Sequence, residues 1–146
     1  MNSLTRAQIL QLIPHAGSMC LLDEILTWDA TSLSAASQRY QQRDNPLRRQ
    51  DGSLGTATTV ELAAQAMAAH GALSVSLSTA ASAGYLVSVR DVHLVSATIP
   101  AGTGPLQIDV RRSEGSDTSA RYSFSVSSTD AKWLTGWAVV LFGDLP

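Results

Sequence analysis

The sequence predicts an α+β chain in which an antiparallel β-sheet wraps one buried central α-helix. Three observations carry this. Between Glu61 and Arg90 there is no Asp, Glu, Lys or Arg, so a helix drawn from that stretch has almost no polar side and belongs in an interior. Strand-like runs flank the stretch, two before it and four after. One of them, Ser119 to Ser127, sets Ala120, Tyr122, Phe124 and Val126 on one face against Arg121, Ser123, Ser125 and Ser127 on the other, the period of a half-buried strand.

The elements follow in order. Thr5 is placed to cap a short helix over Arg6 to Leu12 that Pro14 ends, with Ile9, Leu10, Leu12 and Ile13 on the core side. Leu21 to Trp28 and Thr31 to Tyr40 read as strands joined by a turn at Asp29-Ala30. Gln41 to Thr56 is polar loop chemistry over about 15 residues, a length that in small domains usually marks a functional or mobile segment. Thr58 or Thr59 then caps the central helix, Val60 to about Leu73, where Val60, Ala63, Ala64, Met67 and Gly71 form a helical stripe. Four strands close the chain: Tyr85 to Val95, Leu106 to Arg112, Ser119 to Ser127 and Trp133 to Phe142. Gly102-Thr103-Gly104-Pro105, Glu114-Gly115-Ser116-Asp117 and Thr129-Asp130 supply the turns.

Composition bounds the function. At 146 residues, 45% hydrophobic and 15% charged, the chain is expected to form one domain over residues 1–146 with enough apolar surface to fold. Its low charge points to surface covered by another subunit. A net charge of -2 provides no positive field for a nucleic acid. A single cysteine, Cys20, excludes an intrachain disulfide and a cysteine-rich zinc module. The first residues lack a basic segment followed by an apolar one. The least polar stretch, Thr59 to Val89, is broken by Glu61, Gln65 and His70. We therefore expect a cytoplasmic protein without a membrane span. There is no metal-ligand spacing, no phosphate loop and no Ser-His-Asp set.

Three segments carry a family resemblance. Ile13-Pro14-His15-Ala16-Gly17-Ser18-Met19-Cys20-Leu21-Leu22-Asp23-Glu24-Ile25-Leu26 resembles the opening of bacterial 3-hydroxyacyl-acyl-carrier-protein dehydratases. Val60-Glu61-Leu62-Ala63-Ala64-Gln65-Ala66-Met67-Ala68 resembles their central-helix segment. Val89-Arg90-Asp91-Val92-His93-Leu94 into Ile99-Pro100-Ala101-Gly102 resembles a later strand and turn. More narrowly, the chain resembles the divergent dehydratases of aryl-polyene pigment clusters. The resemblance implies the hotdog fold, that is, an antiparallel sheet around a buried helix. It also implies dehydration of a 3-hydroxyacyl thioester to a trans-2-enoyl thioester on an acyl carrier protein, in fatty-acid-like or aryl polyene synthesis. It implies no cofactor of the protein's own, because the substrate rides on the carrier's phosphopantetheine. Further implied is a homodimer, or a heterodimer with another hotdog protein, with the site in a tunnel between subunits.

The family carries a catalytic His in the loop before the central helix. Here its place falls near Leu47, and no His lies between His15 and His70. A non-catalytic hotdog subunit partnering a His-bearing dehydratase, and an acyl thioesterase, are therefore the alternative readings.

Dehydration needs a base for the C2 proton, an acid for the C3 hydroxyl and a donor for the thioester oxygen. Glu61 is the candidate for proton transfer. It is the one carboxylate in a long apolar segment, so burial is expected to raise its pKa, while the helix dipole opposes that shift. The alternative is a helix-start Glu that only caps backbone. His15 is its candidate partner, or else a loop His bonded to backbone. Gln65, four residues on and on the same face, either orients Glu61, binds the substrate hydroxyl, or is a satisfied buried amide. Gly17, Thr58 and Val60 are the expected substrate contacts, with backbone donors at Thr58 to Val60 for the thioester oxygen. His70 points half a turn from Glu61 and reads as packing or interface, His93 as surface or interface. Arg48-Arg49 and Arg111-Arg112 meet either an acidic carrier or solvent. Cys20 reads as a small buried hydrophobe, and Tyr85, Trp133 and Trp137 as core or interface aromatics.

Overall fold

A computed structural model describes residues 3–13, 17–75, 84–116 and 118–142. A capping box opens the chain. Thr5 Oγ1 accepts from the Gln8 amide, and Gln8 Oε1 accepts from the Thr5 amide at 2.9 Å. These bonds satisfy two of the donors that a helix start leaves open. The resulting helix α1 is shorter than expected, Arg6–Ile9, and passes into turns. Ile9 and Ile13 are buried, whereas Leu10, expected on the core side, is exposed. Before it, Leu4–Thr5 forms a two-residue strand β1 paired with β2.

Strand β2 spans Glu24–Trp28 and β3 spans Ser32–Ser37, antiparallel to each other. Both are shorter than the sequence suggested. At the start, Leu21 gives its amide to a side chain on the central helix instead of to a strand. At the other end, the Asp23 carboxylate accepts the Arg39 amide at 3.0 Å and pairs with the Arg39 guanidinium at 3.1 Å. This turns the chain out of β3 into a 3-10 turn at Arg39–Gln41. The β2–β3 turn is built by Asp29, whose Oδ1 accepts from the amides of Thr31 and Ser32.

The segment from Gln41 to Thr56 is tied down. Buried Asn45 donates to the Tyr40 carbonyl and accepts the Leu47 amide. Arg48 bridges to Leu54, and Leu54–Gly55 (β4) pairs with Thr98–Ile99 (β6). A 3-10 turn, Thr56–Thr59, then leads into helix α2, Val60–Val75. The two threonines do not cap the helix as expected. Their hydroxyls donate backwards, Thr58 to the Gly55 carbonyl and Thr59 to the Thr56 carbonyl, each at 2.6 Å. A hydroxyl so placed tightens the turn and leaves the amides ahead to other partners.

Four long strands follow, close to their expected bounds: β5 Gly84–Leu94, β7 Leu106–Gly115, β8 Ser119–Ser127 and β9 Lys132–Phe142. The sheet order is β1-β2-β3-β7-β8-β9-β5. The neighbouring pairs β1–β2, β2–β3, β3–β7, β7–β8, β8–β9 and β9–β5 are all antiparallel. A bulge between Arg90 and His93 bends β5, with Asp91 at φ 53° inside it. α2 lies across the concave side, packed on β3, β5, β7 and β8. Inward-pointing Leu33, Ile108, Val110, Tyr122, Phe124, Val126 and Leu134 meet Leu62, Met67 and three alanines, Ala63, Ala66 and Ala69, all buried. The alanines let the helix approach the sheet closely, and each large aliphatic buried there contributes about 1.5–3 kcal/mol. Gly136 faces Phe124 across strands. A Cβ there would lie 2.7 Å from the ring's Cζ, so the glycine makes room for the ring. This is the expected α+β architecture, a hotdog fold with its sheet wrapped around one helix.

Candidate functional site

The start of α2 gathers the polar groups that the apolar helix otherwise lacks. Glu61 lies in its first turn and is half-buried. Gln65, one turn on, is fully buried. One amide hydrogen of Gln65 goes to Glu61 Oε1 at 3.1 Å and the other to the Met19 carbonyl at 2.7 Å. Its Oε1 accepts the Leu21 amide at 2.9 Å. Both amide hydrogens are engaged, so Gln65 is a satisfied buried amide that also orients Glu61. A substrate hydroxyl would have to donate to the second lone pair of its Oε1.

The segment that holds Gln65 is itself held. Arg6 Nη2 donates to the Gly17 carbonyl at 3.0 Å and to the Cys20 carbonyl at 2.9 Å. Gly17 has φ 59°, a left-handed conformation that costs a glycine little. A hydrogen-bonded path thus runs from α1 through residues 17–21 to Gln65 and on to Glu61. Of this wiring only the Gln65–Glu61 pair was read from the sequence; the bonds from Gln65 to residues 19 and 21 span 44 to 46 residues and run through backbone atoms. A signal did exist: a glutamine buried on an apolar helix must find partners for its amide.

The other sequence-predicted residues fall as follows. His15 lies outside the described residues. Thr58 is half-buried with its hydroxyl committed to Gly55. The Val60 amide bonds to the Ala57 carbonyl, so the expected thioester-oxygen donor at Val60 is spent inside the 3-10 turn. Leu47, where the family's catalytic His would fall, packs against the core.

Buried His70 makes two bonds on the far side of α2. Its Nε2–H donates to the Asp29 carbonyl at 2.9 Å, which leaves Nδ1 to accept the Tyr122 hydroxyl at 2.7 Å. The ring is thereby fixed as the neutral Nε2–H tautomer. Burial lowers its pKa, the Asp29 carbonyl opposing, and burial lifts the Tyr122 phenol to about 12. His70 is a packing residue, as read from its helical phase. Cys20 is buried, and burial raises its thiol pKa. His93 is exposed. Trp133 packs on the core and donates to Ser128 Oγ. Trp137 carries the Arg121 guanidinium on its face. The side chain of Tyr85 lies outside the described residues. Among the described residues no group of three His, Cys, Asp or Glu could hold a metal, and no helix is long and apolar enough to cross a membrane.

Solved structures share this fold. The dehydratase heterocomplex ApeI:P from Xenorhabdus doucetiae superposes with a TM-score of 0.83 at 18% identity, covering 93% of this chain and 91% of that one. Thioesterase HI1161 from Haemophilus influenzae matches at 0.67 and 12%, covering 97% and 92%. A mutant of thioesterase PA1618 from Pseudomonas aeruginosa matches at 0.61 and 15%, covering 85% and 82%. At these identities the likeness is one of fold. A comparison with curated proteins finds no match. The family model described as ApeP dehydratase matches residues 7–141, from α1 to β9, and the chain belongs to that family.

Proposed function

We propose that this protein dehydrates 3-hydroxyacyl thioesters on an acyl carrier protein to trans-2-enoyl thioesters, in fatty-acid-like or aryl polyene synthesis. The observation that carries the reading is Glu61. It is a half-buried carboxylate in the first turn of an apolar helix, oriented by a fully buried Gln65, in a chain of a dehydratase family. Glu61 moves the proton, with His15 as its partner. The C2–H bond breaks to a base, the C3–O bond breaks as the hydroxyl takes a proton, and water leaves with an enoyl thioester. The protein supplies no cofactor, since the phosphopantetheine belongs to the carrier.

Long edge strand β5 supports a paired assembly. Its outer edge meets no strand among the described residues, and an open edge of that length is a template for another chain. A second copy or another hotdog protein would fill it.

The test is incubation with 3-hydroxyacyl-acyl-carrier protein and mass detection of the enoyl product. Leu47 in the place of the family His favours one second reading, a subunit that completes the site of a His-bearing partner. Activity that appears only when such a dehydratase is added would support that reading. Free acid as the product would instead identify a thioesterase.

A further inference from the structure

Apart from the Glu61 site, the outer face of the sheet carries an aromatic cleft with two arginines. Where β8, β9 and β5 run side by side, the register aligns Arg121, Val139 and Ser88 in one row and Ser123, Trp137 and Arg90 in the next. Along β8 and β9 the alternate residues Ala120, Tyr122, Ala138 and Val140 fill the core, so Arg121, Trp137 and Val139 face away from α2. Between them lies a cavity of about 160 Å3 lined by Ser88, Arg90, Arg121, Trp137, Ala138 and Val139.

The charges here are uncompensated. No carboxylate lines the cavity. Glu114 is opposite Arg121 across strands, yet among the described residues the two form no ion pair. Two guanidiniums lining one cavity, neither of them in an ion pair among the described residues, are a local exception in a chain of net charge -2, and they concentrate positive potential there. The Arg121 guanidinium carbon sits 4.6 Å from the centroid of the Trp137 ring. A guanidinium held over a ring face by this contact still has N–H groups to offer another partner. Arg90, paired with Trp137 across β5 and β9, lines the same cavity, and Ser88 adds a hydroxyl.

We propose that this cavity binds a phosphate group carried on a small organic ligand. Two guanidinium forks and a hydroxyl supply enough donors for the terminal oxygens of a phosphate ester, the geometry arginine serves best. The volume of about 160 Å3 is several times the ~30 Å3 share of one water in the liquid, room for more than one small group. The walls beyond the arginines, Trp137 and Val139, are apolar and suit the organic part.

The test uses the full chain and two probes, inorganic phosphate and phenyl phosphate, followed by titration calorimetry and tryptophan fluorescence at matched ionic strength. Binding is expected to saturate, with phenyl phosphate the tighter of the two. Arg90→Gln and Arg121→Gln should each weaken it about tenfold or more, as loss of a charged hydrogen bond does. Trp137→Phe should remove the fluorescence change while calorimetry still reports binding. Both arginines are exposed, so circular dichroism should show the variants folded. Heats no different from sodium chloride, or arginine variants that bind like the wild type, would overturn the proposal. Either result leaves the reading of Glu61 untouched.

Discussion

Gln65→Met tests the clamp at the head of α2. Methionine has nearly the same length and volume, so little cavity opens, but three hydrogen bonds go. The Leu21 amide and the Met19 carbonyl lose the side chain that met them, and Leu21 is only 2% exposed. Glu61 loses its 3.1 Å donor. Stranding the buried Leu21 amide costs about 1–3 kcal/mol and the half-buried Met19 carbonyl adds about 1 kcal/mol, so the variant should lose about 2–4 kcal/mol. For a chain of this size each kcal/mol shifts the melting temperature by about 2–4 °C, giving a fall of about 4–16 °C. Thermal unfolding followed by circular dichroism reads it. Turnover should fall at temperatures where the variant is still folded, because Glu61 is no longer held. A variant that melts with the wild type would refute the clamp. One that melts lower but turns over normally would sever Gln65 from Glu61.

Two further outcomes follow from the core. Burial holds the His70 pKa below its ordinary value of 6.5, so the unfolded chain binds more protons just below that pH. Stability is complete above about 6.5 and declines as pH falls toward the folded-state value. His70→Gln should be less stable at neutral pH but decline less steeply in denaturant titrations across that window, and an equally steep decline would show that another group titrates. Gly136→Ala sets a methyl against a Phe124 ring that is 3% exposed and should cost about 1–3 kcal/mol by overpacking. Adding Phe124→Leu should recover part of that loss, a coupling that a double-mutant cycle measures.

The parts legible in the sequence share a cause, which is periodicity over many residues. Ser119–Ser127 alternates strictly, and its bounds in the structure are those read from the sequence. The uncharged run after Glu61 announced a buried helix, and α2 is buried on nearly every side. Strands β1, β4 and β6 have two residues each, too few for a period to show. The Thr58 and Thr59 caps were misread because a threonine hydroxyl donates to a carbonyl three residues back as readily as it accepts from an amide ahead. The long polar loop read as functional or mobile by its length; Asn45 and the β4–β6 pair anchor it, so of the two the mobile reading fails. In the site, Glu61 and Gln65 were legible as a one-turn pair. Arg6 and the backbone of residues 17–21 were not, since they join it from 44 or more residues away.

The account rests most heavily on the Glu61 carboxylate as the group that moves the proton. The direct measurement is single-turnover formation of enoyl-acyl-carrier protein by the wild type and by Glu61→Gln, with any required hotdog partner present. The glutamine keeps the shape and cannot exchange the proton, so the rate should drop about 10²–10⁴-fold, the usual worth of a positioned acid or base. Undiminished turnover by a folded Glu61→Gln protein would contradict the account.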